Sequence, residues 1–202
     1  MARYIGPIVK KSRRFGQDLG HKQNLQKVAR RISVLPGQHG RRGARRSSDY
    51  GLQLAEKQKL QFVYGILEKQ LRRYVKEAQR NPQATGAELL RLIERRLDNV
   101  VFRLGFSPTR AMARQLVSHG HVSVNTRKVD IPSYRVTTGD IVTLSKHALE
   151  IPDVRGKIQD KEYQIPGWMQ KKAAAGKISR LPERTEIEVP VEEQLVVEFY
   201  SR

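Results

Sequence analysis

From about Leu52 to Arg80 the apolar residues Leu60, Val63, Tyr64, Leu67, Leu71, Tyr74, Val75 and Ala78 recur at three- and four-residue intervals. That spacing predicts a helical face turned to a core. Gly65 interrupts it, so two helices are as well supported as one. Ser48 or Asp49 offers an N-cap. Asn81-Pro82 ends the unit, and a second stripe follows: Leu89, Leu90, Ile93, Leu97, Val100, Val101 and Leu104. Thr85 and Glu88 have the spacing of a capping box at its start, and Gly105 is a fitting stop. Ser107-Pro108 then predicts an N-cap and first residue for a helix reaching about Ser118, ended by Gly120.

Beyond Gly120 the period falls to two. "HVSVN" and "RKVDI" predict a hairpin around Asn125-Thr126, and "GDIVTLS" at 139–145 a further strand. Residues 146–186, punctuated by Pro152, Pro166 and Pro182, read as irregular. The closing "EIEVPVEEQLVVEFYSR" alternates and is rich in β-branched and aromatic residues, which predicts strands. The expected class is α+β, a mainly helical N-terminal part packed with C-terminal strands and a helix–helix–β-hairpin unit besides. Residues 1–50 are poor in apolar residues and rich in Gly and Pro. A disordered basic tail competes there with an arm anchored by Tyr4, Ile5, Ile8, Val9, Phe15 and Leu19 that orders fully on its ligand.

Charge narrows the ligand. Lys and Arg number 39 against 20 Asp and Glu, a formal net charge of +19 over 202 residues. The excess is +11 over residues 1–50, +3 over 51–90, +5 over 91–150 and zero over 151–202. A chain so basic attracts polyanions, with RNA, DNA or an anionic membrane as the candidates. No apolar run approaches the ~18 residues of a membrane span, and the N-terminus does not read as a signal peptide. A membrane-surface reading wants one amphipathic basic helix with exposed apolar residues, whereas the single Trp168 lies in a proline-flanked stretch. No membrane partner is expected, nor a homo-oligomer.

Catalysis finds no support. There is no cysteine, no nucleophile elbow and no phosphate loop. His119 and His121 could be half a metal site, but no third ligand stands at a fitting spacing. Two histidines at a helix end that bond phosphate or backbone are the better reading, so no metal and no cofactor is expected.

"TRAMARQLVSHGHVSVN" holds the more informative pattern. On a helix from Pro108 to Ser118, Arg110 and Arg114 stack on one side, while Ala113, Leu116 and Val117 dock elsewhere. Arg103 joins them from the preceding helix, and Arg127 and Lys128 from the hairpin. Solvated surface arginines are the plainer reading, yet five basic residues converge on one small unit. Arginine suits phosphate because its planar fork binds two oxygens. Treated as surface changes, Arg110→Ala and Arg114→Ala should cost at most about 0.5 kcal/mol of stability. DNA is less favoured than RNA, since no dimer seam or long basic helix is visible. Dispersed arginines on short elements suit a folded RNA read by shape and backbone.

"RLDNVVFRLGFSPTRAMARQLVSHGHVSVNTRKVDIPSY", residues 96–134, resembles the S-four RNA-binding module. That module also occurs in RNA-modifying enzymes, synthetases and stress factors. "MARYIGP", "PGQHG", "SDYG", "EKQKL" and "EEQLVVEFYSR", in that order, resemble the S-four family of small-subunit ribosomal proteins of bacteria and organelles. The resemblance implies a basic N-terminal arm (1–50), a helical domain (51–90, with 181–202 returning to it), the inserted module (91–150) and an irregular connection (151–180). It implies a primary binder of small-subunit rRNA that nucleates assembly and, beside the neighbouring protein S-five, influences accuracy, with mRNA nearby. The location implied is the cytoplasmic ribosome, with a plastid or other organelle as the alternative.

The module's RNA face carries over as Arg95, Arg96, Arg103, Thr109, Arg110, Arg114, His119, His121 and Asn125, beside Arg127 and Lys128. Arg41, Arg42, Arg45 and Arg46 stand in the loop the family sets near rRNA and mRNA, and Arg3, Arg13, Arg14, Lys57 and Arg72 complete the set. Some members bind zinc through N-terminal cysteines; this chain lacks them and resembles the zinc-free type. An RNA-modifying enzyme would need a catalytic domain for which no segment is left. A free RNA chaperone would explain the charge but not the ordered ribosomal motifs.

Overall fold

The computed structural model describes residues 4, 6–19, 26, 29–40, 47–160 and 163–201. The chain divides into two compact units, Met1–Gly86 with Pro190–Arg202, and Ala87–Val189.

In the first unit α1 spans Ile8–Phe15, α2 Asp49–Tyr64 and α3 Glu68–Ala78. Ser48 caps α2 by accepting the Gly51 amide at 3.2 Å. Gly65 stops it at φ +63, so the long stripe is two helices. Leu60, Val63, Tyr64, Leu71, Tyr74, Val75 and Ala78 are buried. The C-terminal residues depart from expectation: Glu193–Ser201 is a helix, here α9, packed along α2. Strand propensity is a statement about packing. Here Val196 is fully buried, Glu198 accepts from Gln53 at 2.9 Å and Phe199 meets Tyr50 with ring centroids 5.7 Å apart. Such contacts along the helix outweigh the β-branched composition.

The second unit opens with α4, Thr85–Glu94, then α5, Leu97–Arg103, and α6, Arg110–Ser118. The apolar stripe across α4 and α5 predicts one helix, but the chain is extended at Arg96, φ −68 and ψ 137. The irregular stretch at residues 132–136 supplies the reason. Arg96 bridges Arg135 in antiparallel fashion, the Leu97 amide donates to the Tyr134 carbonyl at 2.9 Å, and the Val136 amide to that of Arg95 at 2.9 Å. The caps differ too. Thr85 lies within helical geometry, donating its hydroxyl to the Asn81 carbonyl at 3.0 Å, while Glu88 pairs with Arg91 at 2.8 Å. Thr109, rather than Ser107, caps α6 through the Met112 amide at 3.2 Å.

Strands β1 (Val122–Val124), β2 (Arg127–Lys128) and β3 (Ile141–Leu144) follow as the alternation predicts. Asn125 and Thr126, at φ 48 and 70, form their tight turn; positive φ at both positions is what a two-residue hairpin of this twist demands. Residues 146–180 prove to be structured: α7 (Lys146–Glu150), α8 (Pro152–Gln159), β4 (Met169–Lys172) and β5 (Ala175–Ile178). The antiparallel sheet runs β2-β1-β3-β5-β4. One face, carrying Val122, Val124, Val142, Leu144, Met169 and Ile178, joins Val100, Val101, Leu104, Ala113, Leu116 and Val117 of α5 and α6 in a single core. Trp168 lies in the turn before β4, as its proline-flanked setting suggests, and its side chain is sealed in that core. Among the described residues no helix is long and apolar enough to cross a membrane.

Candidate nucleic-acid interface

The arginines of α5 and α6 do not stand as separate surface charges. Asp98, in the first turn of α5 and 3 % exposed, receives Arg96 Nε on Oδ1 at 3.1 Å and Nη2 on Oδ2 at 2.8 Å. Arg114 reaches across from α6 and donates Nε and Nη2 to the same Oδ2 at 2.9 and 2.6 Å. Glu94, ending α4 and 1 % exposed, receives Arg103 Nε on Oε2 at 3.2 Å and Nη2 on Oε1 at 2.8 Å. Asn99 ties the halves together. Its Nδ2 donates to the Glu94 carboxylate, its backbone N–H to Asp98 Oδ1 at 2.9 Å, and its Oδ1 accepts Arg110 Nε at 2.8 Å. The Arg110 guanidinium lies 4.5 Å from the Phe102 ring centroid.

Two buried carboxylates therefore hold four arginines, Arg110 through Asn99, and the cluster keeps a formal charge of +2. A carboxylate taken out of water is costly unless charged donors surround it. Each acid is satisfied twice or more and fixes its arginines in one geometry. Long side chains lose rotamer freedom when they bind a ligand; here much of that cost is met in folding, which leaves a pre-set cationic face. Glu94, Asp98 and Asn99 were not candidates from sequence. Their signal was available: "RLDNVV" sets polar residues amid Leu97, Val100 and Val101, where only partnered groups can lie.

The remaining candidates fall into distinct places. Arg95 donates Nε to the Val136 carbonyl at 3.1 Å. Exposed His119 and half-buried His121 lie with ring centroids 6.3 Å apart, and His121 Nδ1 is 3.3 Å from Ser145 Oγ. Arg127 and Lys128 are exposed on the edge strand, Arg72 on α3 and Arg14 on α1. Arg13 binds the carbonyls of Val34 and Leu35 at 2.9 and 3.1 Å.

Four candidates serve the fold. Arg96 is buried at 2 % exposure and acts as the inner partner of Asp98. Thr109, also buried, is spent as a helix cap. Lys57 is buried, paired with Glu68 at 2.8 Å and stacked 4.6 Å from the Phe199 ring. Asn125 locks the hairpin: its Nδ2 donates to Asp140 at 2.7 Å and its Oδ1 accepts the Ile141 amide at 3.0 Å. Arg3, Arg41, Arg42, Arg45 and Arg46 lie outside the described residues.

Residues 3–94 match the family described as ribosomal protein S4/S9 N-terminal domain, and residues 95–142 match the S4 domain. Over the full length of both chains the protein is 47 % identical to the small ribosomal subunit protein uS4 of Aquifex aeolicus and 50 % identical to that of Mycolicibacterium vanbaalenii. That of Rhodococcus opacus, equally covered, is 49 % identical. The chain belongs to the uS4 family. The boundary between the two matched regions falls at the Arg95–Arg96 break that separates α4 from α5. The uS4-family S4 domain, as matched, ends at residue 142, whereas the sheet built on its hairpin continues through β5 to Ile178.

Proposed function

We propose that this chain is a structural component of the small ribosomal subunit, one that binds small-subunit rRNA directly and performs no catalysis. The observation that carries the reading is the pre-set arginine network on α5 and α6, at the centre of a domain whose relatives are small-subunit proteins over their whole length. Phosphate neutralisation supplies affinity, and the fixed spacing of arginines selects among backbone shapes. Nucleating subunit assembly, an interface with neighbouring protein S-five that influences accuracy, and proximity to mRNA belong to the same reading and rest on the family resemblance. The arginines of the basic loop invoked for mRNA, Arg41, Arg42, Arg45 and Arg46, lie outside the described residues.

The test is a salt titration of binding to the naked 5′ domain of small-subunit rRNA, with an unrelated RNA of equal length as competitor. Preference for the rRNA domain that persists as salt rises is the expected outcome. Equal affinity for both RNAs, lost together, would leave a protein that binds RNA by charge alone and would end the reading. Crosslinking on purified subunits checks the S-five interface, which predicts a direct crosslink between the two proteins.

A further inference from the structure

The sheet of the second unit has two faces, and among the described residues the helices of its core lie on one. On the other face the strand register lays out a straight row of neighbours: Lys128, Ser123, Thr143, Ala175 and Lys172. A second row carries Ile141, Lys177 and Gln170. At one end His121 and Ser145 are joined by the Ser145 amide and the His121 carbonyl at 2.9 Å. Lys128, Lys172, Lys177 and Gln170 are exposed; Ser123, Thr143 and Ala175 are half-buried. Small residues form the floor and lysines the two edges. At the usual strand spacing the edges stand about 19 Å apart. Lys128 is also steered: its stem crosses Gly120, where a Cβ would meet Lys128 Cε at 2.0 Å.

We infer that this open sheet face is a second RNA-contacting surface, one that receives the shallow groove of a double-helical RNA segment. The inference rests on the rRNA reading and extends it to a surface the arginine network does not reach. Charge complementarity is the first argument. None of the residues of the five strands is acidic, while Lys128, Lys172 and Lys177 on this face are basic. The chemistry of the floor is the second. Ser123 and Thr143 carry hydroxyls that both donate and accept, as do the 2′-hydroxyls that line the wide, shallow groove of A-form RNA. A single strand is a poorer match, because no strand residue is aromatic and unpaired bases are held chiefly by stacking. A protein partner is poorer still, since the only large apolar residue on the face is Ile141, at 44 % exposed, and interface centres are apolar and aromatic.

Two measurements on the full-length chain test this. In the first, Lys172→Gln with Lys177→Gln should weaken binding to the naked 5′ domain about tenfold and flatten the log–log salt slope by roughly 1.8, the value for two phosphates of a duplex left without a cation. Both side chains are exposed, so circular dichroism and the thermal midpoint should match the parent. The second exploits a chain without cysteine. A single Lys172→Cys, carrying a tethered iron chelate, should cut the rRNA at two stretches that pair with each other, as a reagent held in a helical groove does. Parental affinity and slope for the lysine variant would overturn the inference, as would cuts confined to unpaired RNA. The parent protein's own preference for the rRNA domain separates the two ideas. If that preference holds while the variants behave as parent, only the sheet face is refuted; if it is absent, the rRNA reading falls and this inference with it.

Discussion

A single arginine in this protein answers to a buried acid before it answers to RNA. Arg114 has a side chain only 13 % exposed, against Asp98 at 5 %, so the expectation that Arg114→Ala leaves stability untouched does not survive the geometry. Removing it strips one of two cationic partners from a buried carboxylate, and a loss of about 1–3 kcal/mol is expected. Asp98→Ala is worse, because it strands Arg96 and Arg114 together; about 3–5 kcal/mol is the expected cost. Arg127→Ala, on an exposed edge, should stay within about 0.5 kcal/mol. Chemical denaturation of the three variants checks the order. Equal midpoints would refute the claim that these arginines are anchored inward. Asp140 supplies a pH test of the hairpin lock. Burial pushes its carboxyl upward, but the Thr137 amide at 2.7 Å, Asn125 at 2.7 Å and the Thr137 hydroxyl at 3.0 Å together hold it below its ordinary value. A folded-state value below the unfolded one means that Asp140 stabilises the fold above the ordinary carboxylate range and that this contribution fades as pH falls through the depressed value. Asp140→Asn should therefore be less stable than the parent at neutral pH, with the gap closing in acid.

At the scale of elements, the chain announced those parts whose period was long and whose punctuation was local. Gly65, Gly105 and Gly120 mark real helix ends at φ +63, +66 and +70, and Asn125-Thr126 marks a real turn. Apart from the helix caps, the failures share one cause, a distant partner that overrides the local pattern. The α4–α5 break depends on backbone bonds to residues 132–136, the helical C-terminus depends on α2, and β4–β5 depends on the edge offered by β3. None of these is written in the neighbouring residues. Charge averaging hid the sheet face in the same way, because residues 151–202 net to zero although their acids lie outside the strands. Of the site, the arginines were legible as a helical stripe, while their acidic anchors were hidden by sequence separations of 9 and 16. The packing of β5 on α5 makes an element-level prediction. A Cβ at Gly176 would meet Leu104 Cδ1 at 2.4 Å, so Gly176→Ala must displace a core leucine. Overpacking of that kind costs about 1–3 kcal/mol, and thermal unfolding should show the loss. A variant as stable as the parent would mean that the sheet does not seat on α5 this closely.

For the whole molecule the question is how a charge of +19 becomes recognition rather than adhesion. Charge alone gives an affinity that falls with salt at the same slope for any RNA. Geometry adds a part that salt does not erase, and on the proposed reading it resides in the arginines whose positions Glu94, Asp98 and Asn99 fix. The two contributions can be separated by variants of opposite kind. Neutralising exposed cations such as Arg14, Arg72 and Arg127 leaves phosphates without a cation but loosens no network. The slope should then shrink by roughly 0.9 for each such phosphate, while the ratio of rRNA to competitor affinity changes little. Asn99→Ala does the reverse. It leaves the net charge unchanged and keeps the backbone bond to Asp98, but cuts the side-chain link between Glu94 and Arg110, so Arg110 loses its tie to the frame that holds the other arginines. The slope should then stay near that of the parent, in the range of roughly −4 to −9 for ~6–10 phosphates, while the preference for rRNA over competitor drops severalfold. Measuring both variants across one salt series decides the matter. If Asn99→Ala keeps full preference, the arginine network is a device of folding alone, and shape selection must be sought elsewhere on the protein.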